Sequence, residues 1–150
     1  MSQAKKLTNK LKKKLELLAQ SSIEIGIAKE ESTEKEGKTI YLADIANVLN
    51  FGSYSKAIPA RPFGTTTITR YKEQIKKIIQ RETNSILEKD REVKKGFDSI
   101  GVVCSGYMKK NLTDGEWKPN SQSTINKKGS DQPLIDTGLM RQAITWRVNE

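Results

Sequence analysis

The chain has 150 residues, a length that suits one domain, 1–150, able to bury its own core. Hydrophobic residues make up 35% and charged residues 30%, the formal net charge is +9, and histidine is absent. Without histidine, histidine-dependent catalytic triads and histidine metal sites are excluded. The one cysteine, Cys104, has no partner for an internal disulfide and lies in an apolar helical run. A buried, inert thiol is therefore expected, and no catalytic or metal site and no cofactor is predicted.

The chain has no signal-peptide core and no run of about 18 apolar residues. We therefore expect a soluble protein, made in the cytoplasm, that does not enter a membrane.

The first 20 residues form a basic amphipathic pattern. Leucines recur at helical spacing, at Leu7, Leu11, Leu15 and Leu18. The lysines around them are Lys5, Lys6, Lys10, Lys12, Lys13 and Lys14. Such a helix attracts phosphate backbones and acidic surfaces. Three interpretations stay open at this point: a solvated face, a contact with an acidic protein or with DNA, and a membrane surface.

A change of period follows the helix. Ile23, Ile25 and Ile27 alternate with other residues, which predicts a half-buried strand. Residues 29–38 contain almost no apolar side chain, which predicts a mobile loop or hairpin tip. The glutamates of this region are expected to be solvated rather than to bind a metal: Glu30, Glu31, Glu34 and Glu36.

Three helices are predicted next. The first is short and ends at Gly52, and two prolines then fix an extended segment over 56–63. The two long helices begin near Thr65 and Val93 and are separated near residues 89–90. Gly96, Gly101 and Gly106 lie within the second of them, without the strand and Gly-Lys-Ser context of a phosphate loop. They indicate close helix packing.

Residues 113–132 form a long polar loop, which is usually functional in a compact domain. A short helix inside it is predicted from Ser121 as N-cap to Gly129 just past its end. The alternation of Ile144, Trp146 and Val148 predicts a final strand, paired in one sheet with the strand at 23–27, with the two long helices packed across that sheet.

The Asp-Thr-Gly sequence at 136–138 has the letters of an aspartic protease loop. That mechanism needs a second carboxylate on a matching loop, and this chain has neither a second such tripeptide nor room for the strands that would follow. The alternative is that Asp136 or Thr137 caps a short turn of helix through Leu139 and Met140.

Four segments together resemble one family. They are "IEIGIA", "LADIANVLNFGS" followed by "IPARPF", "WKPNSQSTINKK", and "PLIDTGLMRQAITWRV". Their order and spacing resemble the tail-completion and virion-morphogenesis proteins of long-tailed bacteriophages, small neck proteins that finish a tail so that it joins a DNA-filled head. The resemblance covers roughly residues 23–148, and the long helices match in length and character only.

The resemblance assigns family-signature positions to this sequence. They are Phe51, Gly52, Pro59, Ala60, Arg61, Pro62, Phe63, Trp117, Pro119, Pro133, Leu134, Thr137 and Gly138. Two positions depart from the family pattern: Asn50 replaces an acidic residue, and Gly64 replaces the usual leucine.

The resemblance implies an α+β fold with an antiparallel sheet flanked by helices, in agreement with the periods above. It also implies a structural virion protein rather than an enzyme, part of a ring of six copies between the head connector and the tail tube or terminator. DNA passing through the channel is expected to meet nonspecific lysine contacts. The alternative is a cytoplasmic, nonspecific nucleic-acid-binding protein that uses the lysine-rich helix.

Overall fold

The computed structural model describes residues 3–150 and has a mixed α+β architecture, as the sequence predicted. The described helices and strands follow the chain in this order: α1 Gln3–Gln20, β1 Ser22–Ile27, β2 Ser32–Lys35, β3 Lys38–Tyr41, α2 Leu42–Phe51, α3 Phe63–Arg70, α4 Lys72–Glu88, α5 Val93–Asp114, α6 Gln122–Lys128, α7 Leu139–Ala143 and β4 Ile144–Asn149. Residues 1 and 2 of the predicted first helix lie outside the described part.

The central sheet joins the two ends of the chain. β1 pairs antiparallel with β4, and Ile23, Ile25 and Ile27 lie opposite Val148, Trp146 and Ile144. The predicted pairing of these two strands in one sheet is confirmed. A two-stranded ribbon is marginal by itself and needs a packed face. Helix α5 supplies that cover, since it lies against both strands.

The two long helices pack differently against the sheet. α5 contacts β1 and β4 directly, whereas α4 packs mainly along α5. Ile78 of α4 joins Ile100 and Cys104 of α5 in one buried cluster, against which Ile23 and Ile25 of β1 pack. α4 therefore reaches the sheet through a few side chains at its inner face.

Two glycines of α5 permit this close packing. A Cβ at Gly101 would lie 2.3 Å from Trp146 Cδ1, and one at Gly96 would lie 2.6 Å from Ile86 Cδ1. Gly106 faces open space, with nothing within 4 Å of its Cβ position. Two of the three glycines thus have the predicted packing role, and the third does not.

The charged segment after β1 is a hairpin rather than a formless loop. β2 and β3 pair antiparallel, from Ser32 opposite Tyr41 to Lys35 opposite Lys38. The two turn residues Glu36 and Gly37 both have positive φ, 53° and 72°, as a tight hairpin turn requires. The hairpin packs against α2, and its predicted glutamates are exposed.

Candidate functional site

Arg61 is the one charged residue among the signature positions, and it is buried, with 4% of its surface exposed. It lies in the extended segment between α2 and α3, and its backbone N–H donates to Leu49 O. Its guanidinium reaches across to the late polar segment. Nε donates to Lys118 O at 2.9 Å, and Nη2 donates to Pro119 O and Asn120 Oδ1, both at 3.2 Å.

This arrangement fixes the start of the late segment. Burial lowers the pKa of Arg61, but an arginine stays protonated in proteins. Its buried positive charge is stabilised by the three oxygen atoms that accept its hydrogen bonds. Asn120 extends the network, because its Nδ2 donates to Asp131 O at 3.2 Å. The loop predicted over 113–132 is therefore anchored at 118–120 and closed across 120–131.

Three other signature residues meet in one core cluster. Phe63 and Leu134 are buried at 6% and 7% exposure, and Trp117 packs against the same cluster. The other buried members are Ala46, Leu112, Met140 and Ile144. Trp117 Nε1 donates to Leu112 O at 3.2 Å, which satisfies the indole N–H. We call Arg61, Phe63, Trp117 and Leu134 the signature junction.

The Phe51–Gly52 pair divides its roles. Gly52 has φ 77°, and a Cβ there would lie 2.7 Å from Ala60 N and 2.8 Å from Ile58 O. Only glycine fits this turn, in which Ser53 and Ile58 form a bridge. Phe51, by contrast, is 74% exposed, and the neighbouring Tyr54 is fully exposed. The signature thus combines a structural glycine with an aromatic side chain in solvent.

The prolines of the signature lie at the ends of elements. Pro62 directly precedes α3 as its N-cap residue, which suits a residue without a backbone N–H donor. Pro59 and Pro133 are half-buried, and Pro119 is exposed.

The two departures from the family pattern touch each other. Gly64 N donates to Asn50 Oδ1 at 3.1 Å, and a Cβ at position 64 would lie 3.5 Å from that same oxygen. The amide of Asn50 therefore links the end of α2 to the first turn of α3. These two positions are 14 residues apart, and nothing in the local pattern indicates that they are neighbours.

The "PLIDTG" stretch forms the turn before α7. Leu134 is buried with φ 62°, a left-handed conformation that is strained for a branched side chain. The prediction that Asp136 or Thr137 caps α7 is wrong: Gly138 is the N-cap residue, with φ 80° and no side-chain cap hydrogen bond. Thr137 Oγ1 accepts only weakly from Leu139 N, at 3.5 Å, and Asp136 is exposed. The backbone turn, not a side chain, starts this helix.

The short helix in the late segment agrees with its prediction. Ser121 is the N-cap of α6 and accepts from Thr124 N, and Gly129 ends the helix with φ 71°. One other local prediction agrees as well. Cys104 is buried, and burial raises the pKa of its thiol. No cluster of metal-binding side chains occurs within residues 3–150.

A buried asparagine, Asn111 of α5, was not singled out from the sequence. It is 1% exposed, and the two hydrogens of its Nδ2 are shared among three acceptors at 2.9–3.1 Å: Phe63 O, Thr66 Oγ1 and Thr67 Oγ1. Its Oδ1 accepts from Arg70 Nη1 at 3.2 Å. Asn111 thereby joins α3 to α5 directly beside Phe63. The spacing in the sequence indicates this position, because Asn111 follows Cys104 and Tyr107 at intervals of three and four residues and so lies on the same, inner face of the helix.

The lysines of α1 have two kinds of surroundings. Lys10 and Lys14 both form ion pairs with Asp90, in the turn between α4 and α5, and Lys14 Nζ also donates to Ile86 O at 2.8 Å. These two lysines attach α1 to the body. Lys12 is within 3.9 Å of Glu16 on the same helix, and Lys6 and Lys13 are exposed.

The Asp90 carboxylate is held in its charged form. Hydrogen bonds from Lys10 and Lys14 lower the pKa of Asp90 to about 2. Asp90 itself has φ 59°, a conformation that aspartate tolerates better than most residues. The sequence had marked this position only as the break between the two long helices.

A second carboxylate, Glu82, is buried at 2% exposure on α4. Arg81 Nε and Nη2 donate to its Oε1, and Arg91 Nη1 lies 3.3 Å from its Oε2. Oε1 is therefore hydrogen-bonded, whereas Oε2 has the ion-pair contact with Arg91 but accepts no hydrogen bond. Its place in the apolar pattern of α4 was visible in the sequence, but its partners were not.

Comparisons of the chain with protein-family models, with curated proteins and with solved structures found no match. Within residues 3–150, no helix has the length and apolar character needed to cross a membrane.

Proposed function

We propose that this chain is a structural virion protein of a tailed bacteriophage. In this role it completes the tail or neck and joins the head connector to the tail tube, as one subunit of an oligomeric ring. It acts in the virion, has no catalytic role, and is made in the host cytoplasm.

The observation that carries the proposal is the meeting of the signature segments at one place. Arg61 and Phe63 come from the second of the four segments, Trp117 from the third and Leu134 from the fourth. Trp117 and Leu134 follow Arg61 by 56 and 73 positions in the chain. Arg61 is hydrogen-bonded to 118–120, and Phe63, Trp117 and Leu134 share one cluster. Three segments that are separate in the sequence thus form one structural unit, the signature junction, and this supports the proposal.

The exposed aromatic side chains beside this unit add support. Phe51 and Tyr54 stand in solvent at 74% and 104% exposure, directly before the segment that carries Arg61. Large aromatic side chains are enriched where proteins contact one another. We propose that they contact the head connector or the tail proteins.

The experiment is a joining assay. The gene is deleted from the phage that encodes this chain, and the accumulated heads and tails are purified and mixed with the pure protein. We expect joined particles and infectivity only when the protein is added, and the protein should remain in the purified particles. Full joining without the protein, or its absence from the particles, would disprove this function.

A second candidate function is nonspecific nucleic-acid binding through α1. The observation in its favour is the net charge of +9 together with exposed lysines such as Lys12, whose side chain is 75% exposed. It predicts DNA binding that weakens steeply with salt and disappears when residues 1–20 are removed. A gel-shift titration at low salt tests it, and no shift would exclude it.

A further inference from the structure

The first helix leaves most of its leucines uncovered. Leu7 is 71% exposed, Leu11 44%, Leu15 49% and Leu17 45%. Leu7, Leu11 and Leu15 are four residues apart and form one stripe along the helix. Lys10 and Lys14 attach the helix to the body, so the stripe is presented in a fixed position. A fixed apolar stripe in solvent usually marks a contact site.

The charge of α1 limits what fits on that stripe. Residues 3–20 carry six lysines and one glutamate, so the helix has a net charge of +5. A partner must therefore supply an apolar group surrounded by negative charge.

The same chain has such a surface in the hairpin region. Residues 29–44 carry five carboxylates and three lysines, a net charge of −2 in a chain of +9. The carboxylates are Glu30, Glu31, Glu34, Glu36 and Asp44, and all are exposed. Tyr41 lies among them at 47% exposure and offers an apolar group.

Within one copy, the two surfaces pack on different elements. α1 packs on α4 and α5, whereas the hairpin packs on α2. The six residues of β1 span about 20 Å between the end of α1 and the start of the hairpin region. Because the two surfaces are different parts of the chain, pairing them between copies gives a head-to-tail contact, which closes a ring when the rotation between copies permits it.

We propose that α1 of one copy binds the acidic hairpin region of the next copy, with Leu7, Leu11 and Leu15 against the surface around Tyr41. This contact rests on the proposed ring and names the surfaces that build it. Lys5 and Lys12, seven residues apart on the side of α1 next to Leu15, approach the glutamates of the neighbouring hairpin.

The test is a charge exchange, followed by sedimentation velocity on nuclease-treated full-length protein. One variant carries Lys5→Glu and Lys12→Glu, and the other carries Glu34→Lys and Glu36→Lys. Each variant alone should have a dissociation constant raised at least about tenfold, since like charges now oppose each other. A mixture of the two should associate again, because opposite charges face each other at every contact. Raising the salt concentration should weaken association of the unaltered protein.

The matched control carries Lys76→Glu and Lys77→Glu, which make the same change in net charge on exposed positions of α4. It should associate like the unaltered protein. Leu7→Ser with Leu11→Ser should abolish association while circular dichroism stays unchanged, because both side chains are already exposed.

Other outcomes overturn the contact. They are an unaltered protein that stays monomeric at low salt, variants that associate normally, a mixture that does not recover, and a helix that instead binds anionic vesicles or DNA without self-association. The proposed function is judged separately. If the charge exchange succeeds but the protein is absent from particles, the virion role fails and the contact stands. If the protein is in particles and the charge variants still assemble, only the contact fails.

Discussion

At the scale of single residues, Arg61 shows how a polar side chain becomes structural. Its segment is part of the sequence resemblance, but the role of its guanidinium depends on oxygen atoms of residues 118–120, far along the chain. Arginine suits this position because its planar fork presents several donors at fixed angles. A lysine has one ammonium group and cannot reach three separated acceptors in the same way.

Replacing Arg61 by alanine should lower the free energy of unfolding by about 2–3 kcal/mol, because three oxygens lose a charged donor in a buried place. Urea denaturation followed by circular dichroism measures it. The matched control is Arg141→Ala, at an exposed position, which should change the value by less than about 0.5 kcal/mol. Equal effects of the two substitutions would contradict the role given to Arg61.

The glycines of α5 allow a paired prediction. Gly101→Ala should destabilise the protein by about 2 kcal/mol, because its methyl group would overlap the Trp146 ring. Gly106→Ala on the same helix should stabilise it by about 0.5–1 kcal/mol, because alanine favours a helix and the site is open. Thermal unfolding of both variants checks the signs. Two stabilised variants would mean that α5 and β4 are farther apart than described.

At the scale of elements, the attachment of α1 depends on one carboxylate. The pKa of Asp90 is lowered from 3.8 to about 2 by Lys10 and Lys14, so the charged form is favoured in the folded state. A lowered pKa means that the stabilising contribution is complete above about pH 4 and is lost as the pH falls toward 2. The helix should therefore detach in acid.

The titration of Asp90 can be followed by NMR of its carboxyl carbon, with an expected midpoint of about 2. Lys10→Met with Lys14→Met should move the midpoint toward 3.8, because the two donors are gone. At neutral pH, Asp90→Asn should increase trypsin cleavage within α1 several-fold. The control Glu92→Gln removes an exposed carboxylate two positions away and should leave cleavage unchanged. If the midpoint of the Asp90 titration is the same with and without the lysine substitutions, Lys10 and Lys14 do not attach α1 to Asp90.

At the scale of the whole molecule, the exposed side chains of Phe51 and Tyr54 can be replaced to test function without changing stability. Phe51→Ser with Tyr54→Ser should change the free energy of unfolding by less than about 0.5 kcal/mol, because neither ring is buried. Under the proposed function, the same variant should lose most of its head–tail joining activity. Infectious particles formed per added protein are the measurement.

The matched control for this pair is Ile68→Ser, which removes an apolar side chain that is 64% exposed on α3. It should join heads to tails normally. If both variants join heads to tails normally, the aromatic pair has no part in assembly. If the control also fails, the loss of joining comes from replacing any exposed apolar side chain by serine and is not specific to the aromatic pair.

The sequence by itself determined α1, α2, α5, α6, β1 and β4 and most of their ends. It predicted one helix from Thr65, which the structure divides at Tyr71 into α3 and α4, and only a loop or hairpin tip where β2 and β3 lie. Leucine spacing set α1, alternation set β1 and β4, and Ser121 and Gly129 bounded α6. These features follow from interactions within a few residues, so the local pattern contains them. The short helix through Leu139 and Met140 was predicted, but its cap was assigned wrongly, because the left-handed turn at Leu134 and Gly138 is a backbone geometry that the Asp136 and Thr137 side chains do not indicate.

Only the tertiary structure decided which polar residues are buried and which apolar ones are not. Arg61 and Asn111 became buried because their partners arrive from other segments, whereas Glu82 is paired by its neighbour Arg81 and by Arg91 beyond the end of α4. The α1 leucines remained exposed although their spacing is that of a buried face, since in one copy the helix is covered only where Lys14 and Leu18 meet the body. Burial depends on what the rest of the chain places opposite a side chain, and local spacing carries no record of that.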